Sequence, residues 1–188
     1  MFVLTVDQKR SRRSDDLVDG LLADFADHDF LRRFERTAGD EVQAVLDSPA
    51  AVVDIAVDLV ERKTWSVGVG IGTVRTPLPA STRAGHGPAF EAARRAVERA
   101  KRAPARLAVE GSPDAETVLT MLAFILDGRT DPGREAVALL RRGLTQSVAA
   151  DTLGITKQAV SQRLAAAGWH AEGRARELAA RLLDEADR

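Results

Sequence analysis

At 188 residues the chain is long enough for one or two domains with a substantial core. Its 27 Lys and Arg nearly cancel its 28 Asp and Glu, and the net charge of −1 excludes a surface that attracts nucleic acid all over. With no cysteine there are neither disulfides nor thiolate metal sites, and no apolar run reaches the roughly 20 residues that span a bilayer.

Met1-Phe-Val-Leu-Thr-Val6 reads as a first strand ending at Asp7, without a basic leader, which leads us to expect a cytoplasmic protein. A polar, basic loop follows to Ser14. That serine can cap a helix over 15–26, whose Leu17, Leu21, Leu22 and Phe25 share one face. Strands are expected over 30–37 and 42–46, joined by the turn formers Ala38-Gly-Asp-Glu41. Ser48 and Pro49 open a second helix to Arg62. Trp65–Val74 is a strand with glycine at alternate positions: one face carries Trp65, Val67, Val69 and Ile71, and the other is bare enough for a backbone, a helix or a ligand to approach. After a proline-rich loop come a helix over 88–102, a short strand over 106–109 and a helix over 112–127. The order β-α-β-β-α-β-α-β predicts an α+β, ferredoxin-like domain over residues 1–127, an antiparallel sheet with helices on one face. Gly128–Gly133 reads as a linker to an all-α domain over 128–188.

Within that second domain, Gly143–Trp169 has the pattern of a helix-turn-helix. Thr145 caps a helix over 146–153, Gly154 makes the tight turn, and Thr156 caps a second helix bearing Val160 and Leu164 on one side. The small Ala150 allows the two helices to cross closely. The outward residues Thr156, Lys157, Gln158, Ser161, Gln162 and Arg163 are of the types that meet base edges and phosphates in a major groove. Arg141 and Arg142 extend a local basic island, opposed between residues 141 and 170 by Asp151 alone, and are expected on phosphates. Double-stranded DNA is the expected partner. One unwinged unit of this kind buries little surface, so a homodimer is expected through the sheet domain or Glu177–Leu183.

The ferredoxin-like order also brings Asp7, at the end of the first strand, beside Asp40 in the hairpin. On spacing alone both read as turn residues; together they could hold Mg²⁺, a hard cation that takes oxygen ligands and bridges to phosphates. Asp7, Arg36-Thr-Ala-Gly-Asp40 and the glycine-alternating strand resemble the palm fold of class III nucleotide cyclases and GGDEF-type domains. The resemblance implies metal binding at Asp7 and Asp40 and a nucleotide effector met by Arg36 and Arg95; from residue type alone, Arg10, Arg12 and Arg13 beside Asp7 read either as a phosphate site or as a solvated loop. Arg36 stands where those cyclases carry lysine, and Glu91 where they carry asparagine, so turnover is not expected. Asp7-Gln-Lys-Arg-Ser-Arg12, Gly39-Asp-Glu-Val-Gln43 and Gly87-Pro-Ala-Phe-Glu-Ala-Ala-Arg94 are similar to three motifs of the SatD family, in the same order, over roughly residues 1–110.

Overall fold

The computed structural model describes residues 1–9 and 15–188, so the expected cap Ser14 and the motif residues Arg10–Arg13 lie outside the described residues. The fold is α+β. Five strands, β1 (Phe2–Gln8), β2 (Arg32–Ala38), β3 (Glu41–Leu46), β4 (Trp65–Ile71) and β5 (Leu107–Glu110), form one sheet in the order β2-β3-β1-β4-β5. Eight α-helices are found among the described residues: α1 (Val18–Asp24), α2 (Pro49–Glu61), α3 (Pro88–Ala100), α4 (Pro113–Asp127), α5 (Asp131–Arg141), α6 (Gln146–Leu153), α7 (Lys157–Ala166) and α8 (Trp169–Ala186). None is long and apolar enough to cross a membrane.

The sheet is mixed, not antiparallel as expected. β1 pairs antiparallel with β3 and β4, and β3 with β2, but β5 runs parallel to β4. A parallel pair needs a crossover connection, and α3 supplies it. Register places Leu4 opposite Ala44 and Val69, and Val6 opposite Val42 and Val67. Because side chains alternate along a strand, these residues share one face, and they form the main core with α1, α2, α4 and α8. Sheet on one side and helices on the other bury Val52, Val53, Ile55, Ala56, Val57 and Leu59 of α2, more than one stripe.

The other face of the sheet, which the expected one-sided arrangement left open, is covered as well. There α3 lies directly on the glycines of β4. A Cβ built on Gly68 would stand 2.3 Å from Val97 N, and one on Gly70 would stand 2.2 Å from Ala89 O. Ala89, Ala93, Ala96 and Ala100 of α3 are fully buried against this face. The bare strand face predicted from sequence is therefore a helix seat.

The connection expected over 128–133 is shortened to residues 128–130, because α5 begins at Asp131. Arg129 is fully buried as a side chain, and Thr130 Oγ1 accepts from Gly133 N at 3.3 Å to cap α5 at once. A second, smaller core joins α5, α6 and α7 through Ala136, Val137, Ala149, Ala150, Val160 and Leu164. Helix α8 then returns to the sheet domain, where Ala179 and Leu183 are fully buried in the main core. Residues 128–188 thus do not pack as one body, and the Glu177–Leu183 stretch, expected as a dimer contact, has its apolar side spent inside the chain.

Candidate functional site

Three constellations hold the residues singled out from sequence. In the first, α6 and α7 are set by their ends. Thr145 Oγ1 accepts from Val148 N at 3.3 Å and Thr156 Oγ1 from Ala159 N at 3.1 Å, each satisfying an N–H that has no partner inside its helix. Gly154 between them has φ 64°, the left-handed region where glycine carries no Cβ penalty, and Ile155 N donates back to Ala150 O at 3.1 Å. Ala149 and Ala150 are buried at the crossing. A third helix joins the two expected from sequence: α5 packs on the end of α7 closely enough that a Cβ on Gly133 would lie 3.2 Å from that of Ala167.

Thr156, Lys157, Gln158, Ser161 and Gln162 are all exposed, so α7 presents an uninterrupted polar strip to solvent. Arg163 is half-buried and pairs with Glu135 at 3.7 Å. Arg142 is exposed and, like Lys157, has no ion pair among the described residues. Arg141 is different. It donates to Glu61 at 2.8 Å and to Glu172 at 2.7 Å, which displaces the phosphate role expected for it.

Those contacts belong to the second constellation, a clamp between the small core and the sheet domain. Glu172, on the first turn of α8, is buried and accepts from Arg129, from Arg141 and, at 2.7 Å, from Arg176. Arg129 also donates to the Ala167 carbonyl at 2.8 Å and to Glu61 of α2 at 3.3 Å, and Arg176 reaches Asp54 of α2 at 2.9 Å. Burial on its own raises the Glu172 pKa, yet the hydrogen bonds from Arg129, Arg176 and Arg141 outweigh it and hold the carboxyl at about 2. For Arg141, burial pulls the pKa down, and the carboxylates of Glu61 and Glu172 carry it above the usual arginine value. Chemically this is an ionic seat that joins α5–α7 to α2 and α8.

The third constellation is the aspartate pair. Asp7 lies opposite Glu41 and Ser66 in the sheet, and Asp40 sits in the two-residue turn beside Gly39. Among the described residues the cation on Asp7 is Lys101, whose Nζ is 2.8 Å from its carboxylate and 2.7 Å from that of Glu98. Burial raises the Asp7 pKa, Lys101 opposes that, and the negative charges of Asp40 and Glu98 add to it. No group of three or more His, Asp or Glu placed to hold a metal ion occurs among the described residues. Arg36 turns away to Asp16, at 2.8 and 3.1 Å, and to the Gly39 carbonyl at 2.8 Å; Arg95 faces Glu110 at 3.4 Å; Arg12 lies outside the described residues. Arg36 and Arg95, both expected on a nucleotide, are thus each engaged by a different carboxylate. Beside Asp7, Gln43 Nε2 donates to Thr5 Oγ1 at 3.0 Å, while Gln43 Oε1 and Ser66 Oγ are buried without a hydrogen-bond partner.

No protein-family model, curated protein or solved structure matches the chain.

Proposed function

We propose that the chain is a sequence-specific DNA-binding transcriptional regulator of the cytoplasm, in which a ferredoxin-like, palm-type domain carries a helix-turn-helix arm. The observation that carries this reading is the capped pair α6–Gly154–α7, with Lys157, Gln158, Ser161 and Gln162 exposed along α7. In this reading α7 enters the major groove, where amide side chains can make paired hydrogen bonds to a base, and α6 crosses the backbone. Arg142 and Lys157 meet phosphates. The order β2-β3-β1-β4 with α1 and α2 on one face supports the ferredoxin-like assignment, with β5 and α3 as additions.

Two unpaired cations are few for a DNA-binding surface, so a second copy of the chain is part of the proposal. Electrophoretic titration with duplex DNA tests it. Arg142→Ala is expected to weaken binding to all sequences alike and to reduce the slope of log K against log salt by about 1 per copy. Arg141→Ala is expected to lower stability through the clamp while leaving that slope almost unchanged.

The other reading is a metal-dependent nucleotide-binding or nucleotide-cyclising protein of the class III cyclase type, with Mg²⁺ at Asp7 and Asp40. The proximity through which Asp40 raises the Asp7 pKa favours it. Against it, Lys101 already neutralises Asp7, and Arg36 and Arg95 are engaged by other carboxylates. The DNA reading is the better supported.

A further inference from the structure

A cavity between the C-terminal ends of α2 and α4 plays no part in either reading. It is a cleft partly open to solvent, of about 200 Å³, larger than the roughly 150 Å³ that holds benzene in a protein interior. Its wall is apolar, with Val60, Ala105, Ala123 and Leu126 beside the ring of Phe124. That ring is 56% exposed, one of four large hydrophobic side chains left open to solvent among the described residues. Covering it with an apolar body removes area from water.

The rim of the same cavity is cationic: Lys9, Lys63 and Arg106. Lys63 has φ 61° and Arg106 has φ 54°, and these are the two non-glycine residues of positive φ among the described residues. A glycine would adopt either conformation freely, whereas a long cationic side chain is strained there. Strain of this kind gathers where a side chain is needed for a ligand. The turns account for the backbone, since Lys63 N donates to Val60 O and Arg106 N to Ala103 O, both at 3.0 Å, but they do not account for a cation in place of glycine. Lys63 pairs with Asp127, but both side chains are more than half exposed, at 55% and 67%, and such pairs add little stability. Arg106 donates to the Lys101 carbonyl at 2.8 Å. Of the two carboxylates that line the cavity, Glu61 is engaged by Arg129 and Arg141 and Asp127 faces Lys63, so Lys9 and Arg106 are the rim cations without a carboxylate partner among the described residues.

We propose that this cavity binds a small amphipathic anion, an aromatic or short aliphatic monocarboxylate. Its hydrocarbon body lies against Phe124, Ala123 and Leu126, and its carboxylate meets Lys9, Lys63 and Arg106. Glu61 lines the cavity and also holds Arg129 and Arg141 of the clamp, so an occupied cavity acts on the seat of α5–α7.

Calorimetric titration of the full chain without DNA, using benzoate, hexanoate and the neutral isostere benzamide, tests the assignment. At least one of the two carboxylates is expected to saturate, with benzamide weaker than benzoate by about tenfold or more. Lys63→Gly removes a cation and relaxes the turn together. It is expected to keep or raise the melting temperature while benzoate affinity falls by about fivefold or more. The proposal is overturned if neither carboxylate saturates below about 10 mM, if benzamide binds as well as benzoate, or if Lys63→Gly binds benzoate like the parent chain. The titration contains no DNA, so a failure here and a failure of the duplex reading are separate results.

Discussion

Replacing Gly70 by alanine is expected to cost about 4 kcal/mol or more, enough to leave the chain largely unfolded in chemical denaturation. A Cβ there would lie 2.2 Å from Ala89 O and 2.3 Å from Ala93 N, both backbone atoms of α3, so no side-chain rotation relieves it. The whole helix would have to lift from the sheet, and Val3, Phe90 and Ala93, fully or almost fully buried, would lose their packing. Gly20→Ala is the control. It lies on the exposed side of α1, where a Cβ meets nothing within 4 Å and φ is ordinary. That change is expected to stabilise the fold by about 0.5–1 kcal/mol, since alanine restricts the unfolded chain and favours helix. Equal effects at the two sites would contradict the helix-seat account.

The second large effect is expected at the clamp. Glu172→Gln removes the carboxylate that Arg129, Arg141 and Arg176 share, and leaves Arg129 buried with Glu61 as its remaining charge partner. Losing one partner of a buried ionic group typically costs about 3–5 kcal/mol; since Glu61 remains, about 3 kcal/mol is expected. Denaturant unfolding at neutral pH measures it, and hydrogen exchange should show α5–α7 opening before the sheet. The same carboxylate predicts a pH dependence. Its folded pKa, about 2, lies below the ordinary 4.5, so its contribution is fully present above pH 4.5 and is lost as pH falls towards 2. Across that window the parent chain should lose more stability than Glu172→Gln. Parallel curves would show that Glu172 is not the group held down.

Much of this was legible in the sequence, because local signals carry it. Ser48, Thr145 and Thr156 each accept from the N–H three residues on, where a cap is expected, and Gly154 takes the left-handed turn. The glycine alternation in β4 showed that something would approach; what approached depended on α3, whose alanines are recognisable as the matching surface only once the crossover to β5 is known. Long-range charge pairing was not legible. Arg141 and Glu61 are 80 residues apart, and Arg129 and Glu172 are 43 apart. Arginines bound for a buried clamp look, in sequence, like arginines waiting for phosphate. The stripe of α8 through Ala179 and Leu183 says only that the helix is covered, not that the sheet domain covers it. Lys101 on Asp7 escaped notice likewise, since nothing local links the end of α3 to the end of β1.

The central claim is that α7 reads DNA, and selection of bound sequences from a random duplex pool at about 50 mM salt tests it most directly. The parent chain is expected to enrich a two-fold related sequence. Gln158→Ala should still bind duplex but lose discrimination worth about 1–3 kcal/mol at one base position in each half-site. No duplex retained at that salt, or a Gln158→Ala variant that enriches the same sequence with the same preference, would contradict it.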